Sequence, residues 1–222
     1  MKKKTKKVLI TGSSGFIGFH LSSLLLRKNF FVIGIDSLSN YYDVNLKIKR
    51  QDILTRNDNF ICYNHDIKNQ KTFKKIFEQH RPQIVIHLAA QAGVRYSLKN
   101  PKSYVDSNLL GSFNLLETLR NYELEHLLFA SSSSVYGANT KLPFEECQKC
   151  DKPLSLYAAT KKANETMCHS YSHNFSIPIT LLRFFTVYGP WGRPDMALFK
   201  FVKSILNDEK IDIYNHGKME RD

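Results

Sequence analysis

Short apolar, β-branched runs alternate with amphipathic stretches of helical length along most of this chain, and that alternation restricts the fold more than any other feature. Strands separated by segments long enough for a helix join as parallel neighbours, with right-handed crossovers and helices on both faces of the sheet. The expected strands are Lys7–Thr11, Phe31–Ile35, Phe60–Asn64, Gln83–Leu88, His126–Ala130 and Ile179–Phe184. The expected helices are Gly15–Lys28, Val44–Leu54, Gln70–Gln79, Pro101–Arg120 and Ser155–Ser172. Asn100 can cap the fourth of these, because Pro101 then sits at the first helical position, where a missing N–H costs nothing. The fold class is α/β, a doubly wound parallel sheet.

The pattern breaks after Phe184, where Gly189, Pro190, Gly192 and Pro194 interrupt regular structure before a last amphipathic stretch, Met196–Leu206. This divides the chain into residues 1–190, a doubly wound domain of the Rossmann type, and residues 191–222, too short for a core of their own. The second piece reads as the start of a truncated substrate-binding lobe.

Thirty-two Lys and Arg against 20 Asp and Glu give a net charge of +12, which raises nucleic acid and membranes as partners. Much of the excess is a run at Lys2, Lys3, Lys4, Lys6 and Lys7, read as a solvated tail, and no basic stripe follows, so nucleic acid is disfavoured. Val8, Leu9 and Ile10 are too few for an export signal, and no apolar stretch can span a bilayer, so the expected location is cytoplasmic. Cys147 and Cys150 have the gap of a metal pair but lack a second pair of ligands, so no metal is assigned.

Thr11-Gly12-Ser13-Ser14-Gly15-Phe16-Ile17-Gly18 follows the first strand and opens the first helix. Backbone amides there can face an anion while the glycines let a pyrophosphate approach. The spacing G-x-x-G-x-x-G differs from the familiar G-x-G-x-x-G, but Asp36 ends the second strand where a carboxylate would bind a ribose diol and repel a 2′-phosphate. NAD is therefore expected over NADP, with Gly12, Gly15, Phe16, Ile17, Gly18 and Asp36 in contact. Asp66 and Ile67 follow the third strand, where the adenine would lie, and Leu88, Ala89 and Ala90 end the fourth.

Tyr157 and Lys161 are four apart on a predicted helix, so they share a face on which an ammonium can stabilise a phenolate. A chain with 11 Tyr and many lysines also produces this spacing by chance, as at Tyr214 and Lys218. Ser131-Ser132-Ser133-Ser134 leaves the fifth strand on the same edge, although serine runs are often only turn material.

Together these segments resemble the extended short-chain dehydrogenase/reductase superfamily, and within it the UDP-glucuronate 4-epimerases. The resemblance rests on Thr11–His20, Gly34–Lys47, His87–Ser97, Ser131–Gly137, Ser155–Asn164 and Leu182–Ala197, and so spans almost the whole chain. It implies an NAD-dependent epimerase in which Tyr157 is the catalytic base and acid. Lys161 would bind the nicotinamide ribose and lower the phenol's pKa, and Ser132 would be the catalytic hydroxyl. Asn108 would support the cofactor site, with Phe184 and Phe185 beside the nicotinamide. Arg95, Ser133, Ser134, Thr186 and Arg193 would face the substrate.

The implied reaction oxidises the 4-hydroxyl of a UDP-sugar, lets the keto sugar turn over, and returns hydride to the opposite face. Arg193 is expected to hold the uronate carboxylate so that the β-keto acid keeps its carbon dioxide. Ser133 and Ser134 stand where dehydratases of this superfamily carry Asp-Glu, leaving UDP-glucose/galactose 4-epimerase and UDP-glucuronate decarboxylase as the neighbouring activities. Family members continue well past Asp222, so a non-catalytic NAD-binding fragment is the alternative of another class. Pairing through Pro101–Arg120 and Ser155–Ser172 would give a homodimer by a four-helix bundle.

Overall fold

The computed structural model describes residues 5–218, so Lys2, Lys3, Lys4, Arg221 and Asp222 lie outside the described residues. Six strands form one sheet: β1 (Lys7–Thr11), β2 (Phe31–Asp36), β3 (Phe60–Asn64), β4 (Ile84–His87), β5 (His126–Ser132) and β6 (Ile179–Phe184). Their order is β3-β2-β1-β4-β5-β6, and every pair is parallel. The order reverses between β1 and β4, so a crevice opens above their carboxyl ends.

Helices cover both faces: α1 (Phe16–Arg27), α2 (Val44–Thr55), α3 (Gln70–His80), α4 (Tyr96–Lys99), α5 (Pro101–Tyr104), α6 (Gly111–Leu119), α7 (Leu156–Phe175) and α8 (Ala197–Leu206). The period-two alternation of a strand sorts the core into two layers. Leu9, Ile33, Val85 and Phe129 pack with Phe73 and Phe77 of α3, Leu115, Leu116 and Leu119 of α6, and Cys168 of α7. Val8, Ile10, Val32 and Ile86 pack on the other side with Phe19 and Leu26 of α1 and Leu54 of α2.

The expected helix Pro101–Arg120 is one path with a defect. Asn100 does cap α5, accepting from the Ser103 N–H, but Val105–Leu110 then form a π-helical turn before α6 resumes. The wider turn buries Asn108, which no 3.6-residue periodicity foretells. β5 runs to Ser132, beyond the expected Ala130, because Ser131 and Ser132 still pair with Arg183 and Phe184 of β6.

The basic run is not wholly a solvated tail. Lys6 pairs with Glu125 at 2.5 Å, and Lys7 begins β1 with its Nζ 2.9 Å from the His80 carbonyl. Cys150 is buried against Val135, Tyr136 and Phe144, whereas Cys147 is exposed. Among the described residues no helix is long and apolar enough to cross a membrane, and no three His, Cys, Asp or Glu side chains cluster as metal ligands.

Candidate active site

The crevice floor is almost bare backbone. Gly12 has φ +76°, and a Cβ there would lie 2.9 Å from the Ala89 nitrogen; a Cβ on Gly18 would lie 2.0 Å from the Gly12 carbonyl oxygen. The loop, α1 and the exit of β4 therefore close on one another only without side chains. Gly15 is the N-cap of α1 and brings no side-chain cap, which leaves first-turn amides, those of Phe16 and Ile17 included, for an outside acceptor. Asp36, at the end of β2, accepts from Ser14 N at 3.0 Å through one oxygen and from Leu38 N at 2.9 Å through the other. Both bonds fix the carboxylate plane and leave a lone pair on each oxygen. An uncapped helix start, a cradle that a Cβ would fill and an oriented carboxylate fit a pyrophosphate and a ribose diol.

The adjoining walls are less uniform. Leu88, Ala89 and Ala90 are half-buried, and Ala89 N donates to Thr11 Oγ1 at 3.2 Å. Thr11 also meets His87 Nδ1 at 2.7 Å, and burial pulls that imidazole down to about 3, so it stays neutral. Asn108 accepts from Gln91 N at 2.8 Å and donates to Thr160 Oγ1 at 3.1 Å, bridging the loop after β4 to α7. Ile67 is buried against Gly111, while Asp66 is half-buried and paired with Lys68.

Tyr157 and Lys161 lie on α7, whose N-cap Ser155 accepts from Ala158 N. The Lys161 Nζ donates to the Ala130 carbonyl at 2.8 Å, and burial pulls its pKa down to about 8. Burial pushes the Tyr157 phenol above its ordinary value, while the nearby Ser132 hydroxyl and then the Arg193 charge draw it back. Arg193 thus adds a second cation beside the phenol, and the Lys161 ammonium is anchored at the strand exit. Ser132 caps a 3₁₀ turn, Ser133–Tyr136, by accepting from Ser134 N at 3.2 Å, so Ser133 and Ser134 sit on that turn, half-buried. The other Tyr-x-x-x-Lys spacing begins in a 3₁₀ turn, Tyr214–Gly217, and the Tyr214 side chain lies outside the described residues.

On the far side, Phe184 ends β6 half-buried, and Phe185 and Thr186 continue exposed. Phe185 joins Tyr136 and Phe144, with ring centroids 6.3 and 6.4 Å away. Arg95, the residue before α4, is exposed. Arg193 grips Asp195 with Nε at 3.0 Å and Nη2 at 2.5 Å, and the Tyr41 hydroxyl donates to the same carboxylate at 3.1 Å.

Several residues here escape sequence reasoning. Arg50 of α2, fully buried, donates to the carbonyls of Ser14 and Gly192 at 3.1 and 3.2 Å and to the Tyr42 hydroxyl at 2.8 Å, tying the glycine loop to the segment after β6. Nothing local marks it on a polar helix. Asp195 is found only once its chain neighbour Arg193 is seen to fold back on it. Glu165, buried beside Ser131 and Arg183, was within reach, since it lies one turn beyond Lys161 on the same helical face.

Comparison with known proteins follows the same outline. Residues 8–222 match the NAD dependent epimerase/dehydratase family. The protein CapI of Staphylococcus aureus is 55% identical over 216 residues, 97% of this chain and 64% of its own length. UDP-glucuronate 4-epimerase 2 of Arabidopsis thaliana is 51% identical over 97% of this chain and 50% of its own. A crystal structure of UDP-glucuronic acid 4-epimerase from Bacillus cereus, in complex with UDP-glucuronic acid and NAD, superposes with a TM-score of 0.86 at 39% identity. It covers 91% of this chain, which in turn spans 64% of that one. The chain thus spans less than two thirds of the length of these relatives.

Proposed function

The chain belongs to the NAD dependent epimerase/dehydratase family, and from that premise we propose that it is an NAD-dependent nucleotide-sugar 4-epimerase converting UDP-glucuronate to UDP-galacturonate. One observation carries the reading: Lys161, one turn after Tyr157 on α7, is bonded to the Ala130 carbonyl two residues before Ser132, at the same sheet edge as the glycine cradle and Asp36. The relatives named for UDP-glucuronate 4-epimerase support the choice of sugar.

In this reading Gly12, Gly15, Phe16, Ile17 and Gly18 hold the pyrophosphate of NAD and Asp36 its adenosine ribose. Asp66 and Ile67 border the adenine, and Leu88, Ala89, Ala90, Asn108 and Phe184 line the remaining path. NAD, when bound, supplies the acceptance and return of a hydride at carbon 4. Tyr157 takes the proton of the sugar's 4-hydroxyl and gives it back after the keto sugar has turned over, with Ser132 sharing the hydrogen bond. Lys161 serves the nicotinamide ribose. Ser133, Ser134, Thr186, Arg95 and Arg193 face the UDP-sugar, Arg193 keeping the uronate carboxylate out of line with the ketone.

The division near residue 190, a cytoplasmic location and a homodimer belong to the same proposal. Exposed Val105, Leu110 and Phe113 on the α5–α6 path, and Phe175 at the end of α7, support pairing through these helices; light scattering reports the resulting mass.

A second reading, NAD binding without turnover by this chain alone, is favoured by α8, none of whose residues is buried although Leu198, Phe199, Phe201, Val202, Ile205 and Leu206 are apolar. Incubation of the purified chain with NAD⁺ and either UDP-glucuronate or UDP-glucose, followed by NMR of the sugars, separates the readings. The galacturonate epimer is expected, and Tyr157→Phe should slow its formation about 10³-fold. NAD binding with no epimer of either sugar would favour the second reading.

A further inference from the structure

Glu165 is 5% exposed, charged, and unused by the chemistry above. It follows Lys161 by one turn as Lys161 follows Tyr157, so all three lie on one face of α7. That face is fastened to the exit of β5 through two consecutive residues: Lys161 Nζ donates to Ala130 O at 2.8 Å, and Ser131 Oγ donates to Glu165 Oε1 at 2.7 Å. Ser132 comes next. Arg183, opposite Ser131 in the sheet register, forks onto the carboxylate with Nε at 2.9 Å from Oε1 and Nη2 at 3.0 Å from Oε2. Lys162 Nζ reaches Oε2 at 3.3 Å.

Each oxygen therefore accepts two bonds, which fills the carboxylate and leaves it no room to rotate. A plain stabilising ion pair needs only Arg183. The serine bond adds a link from the helix that carries the phenol to the strand end that carries its hydroxyl partner, and such supporting bonds decide whether reacting groups are held to fractions of an ångström. We propose that Glu165 is a positioning residue: acting through Ser131, it locks the exit of β5 to α7 and thereby sets the Ser132 hydroxyl against the Tyr157 phenol. Its effect on turnover rests on the epimerase reading; its effect on the phenol does not.

The other groups facing that phenol are Tyr104 from α5 and Arg193 from the segment after β6, while Lys161 of its own helix is held at Ala130. Ser131→Ala cuts the serine link and spares the Glu165–Arg183 pair; Ser131→Thr keeps a hydroxyl. The Tyr157 phenol is titrated by NMR in chain labelled with ¹³C at tyrosine Cζ, Tyr157→Phe identifying the resonance. In Ser131→Ala we expect the phenol pKa to rise by about one unit, the melting temperature to fall by no more than about 4 °C, and kcat to drop about tenfold at unchanged KM. Ser131→Thr should restore the phenol. A phenol within about 0.2 units of the unaltered chain, or one that moves only with a collapse of the melting temperature and is not restored by Ser131→Thr, overturns the proposal. If the unaltered chain forms no epimer, the epimerase reading fails and the titration still decides.

Discussion

Lys161→Met tests the electrostatics of the site without any ligand. Lys161 is 4% exposed, and the acceptor of its ammonium is a neutral carbonyl, that of Ala130. Burial lowers its pKa from 10.5 to about 8, so the fold disfavours the charged form. Below pH 8 the folded chain carries the whole penalty; between about 8 and 10.5 the folded lysine is neutral while the unfolded one still holds its proton, and stability from this group rises with pH. The interval corresponds to about 3 kcal/mol at most. Methionine keeps the apolar stem and drops the charge, but strands the Ala130 carbonyl, a pH-independent loss of about 1–3 kcal/mol. The two effects nearly cancel at pH 7. The variant should therefore match the unaltered chain there and fall behind by about 2–3 kcal/mol as the pH approaches 10. Urea unfolding followed by the fluorescence of Trp191, with reductant present, gives both free energies at each pH. A difference that stays flat from pH 7 to 10, or that shifts in favour of the variant, would refute the reasoning.

Other substitutions read other parts of the crevice. Gly18→Ala forces a methyl group to within 2.0 Å of the Gly12 carbonyl oxygen, which only backbone movement relieves; calorimetry should show NAD affinity lost, and the fold weakened by about 1–3 kcal/mol. Asp36→Asn turns an amide donor toward Ser14 N–H or Leu38 N–H, so NAD binding should weaken about tenfold while discrimination against NADP shrinks. Arg193→Ala removes the partner of Asp195 and should let a decarboxylated sugar appear by mass spectrometry; normal binding of UDP-glucuronate with no such product would count against the role given to Arg193.

The sheet was legible because buried parallel strands write themselves as apolar β-branched runs, and the strand ends then placed the glycine loop, Asp36 and Ser132 on one edge. What stayed hidden depends on contacts distant in the chain. Arg50 looks like any polar-helix arginine until Ser14 and Gly192 arrive beside it. The helical spacing of Tyr157 and Lys161 puts both on one face of α7, yet it carries no news of Ala130, whose carbonyl anchors the ammonium. The break of the fourth helix was invisible for a related reason: Asn108 finds its partners Gln91 and Thr160 on other elements.

That break has a genetic consequence. Val105–Leu110 hold one residue more than the surrounding α-helix would use. Deleting a single codon within it would let an unbroken α-helix form with Leu115, Leu116 and Leu119 still against the sheet, but would take Asn108 from Gln91 and Thr160; adding one would turn everything downstream by about 100°. Substitutions at the exposed positions of this stretch should be tolerated, whereas changes of length by one should not.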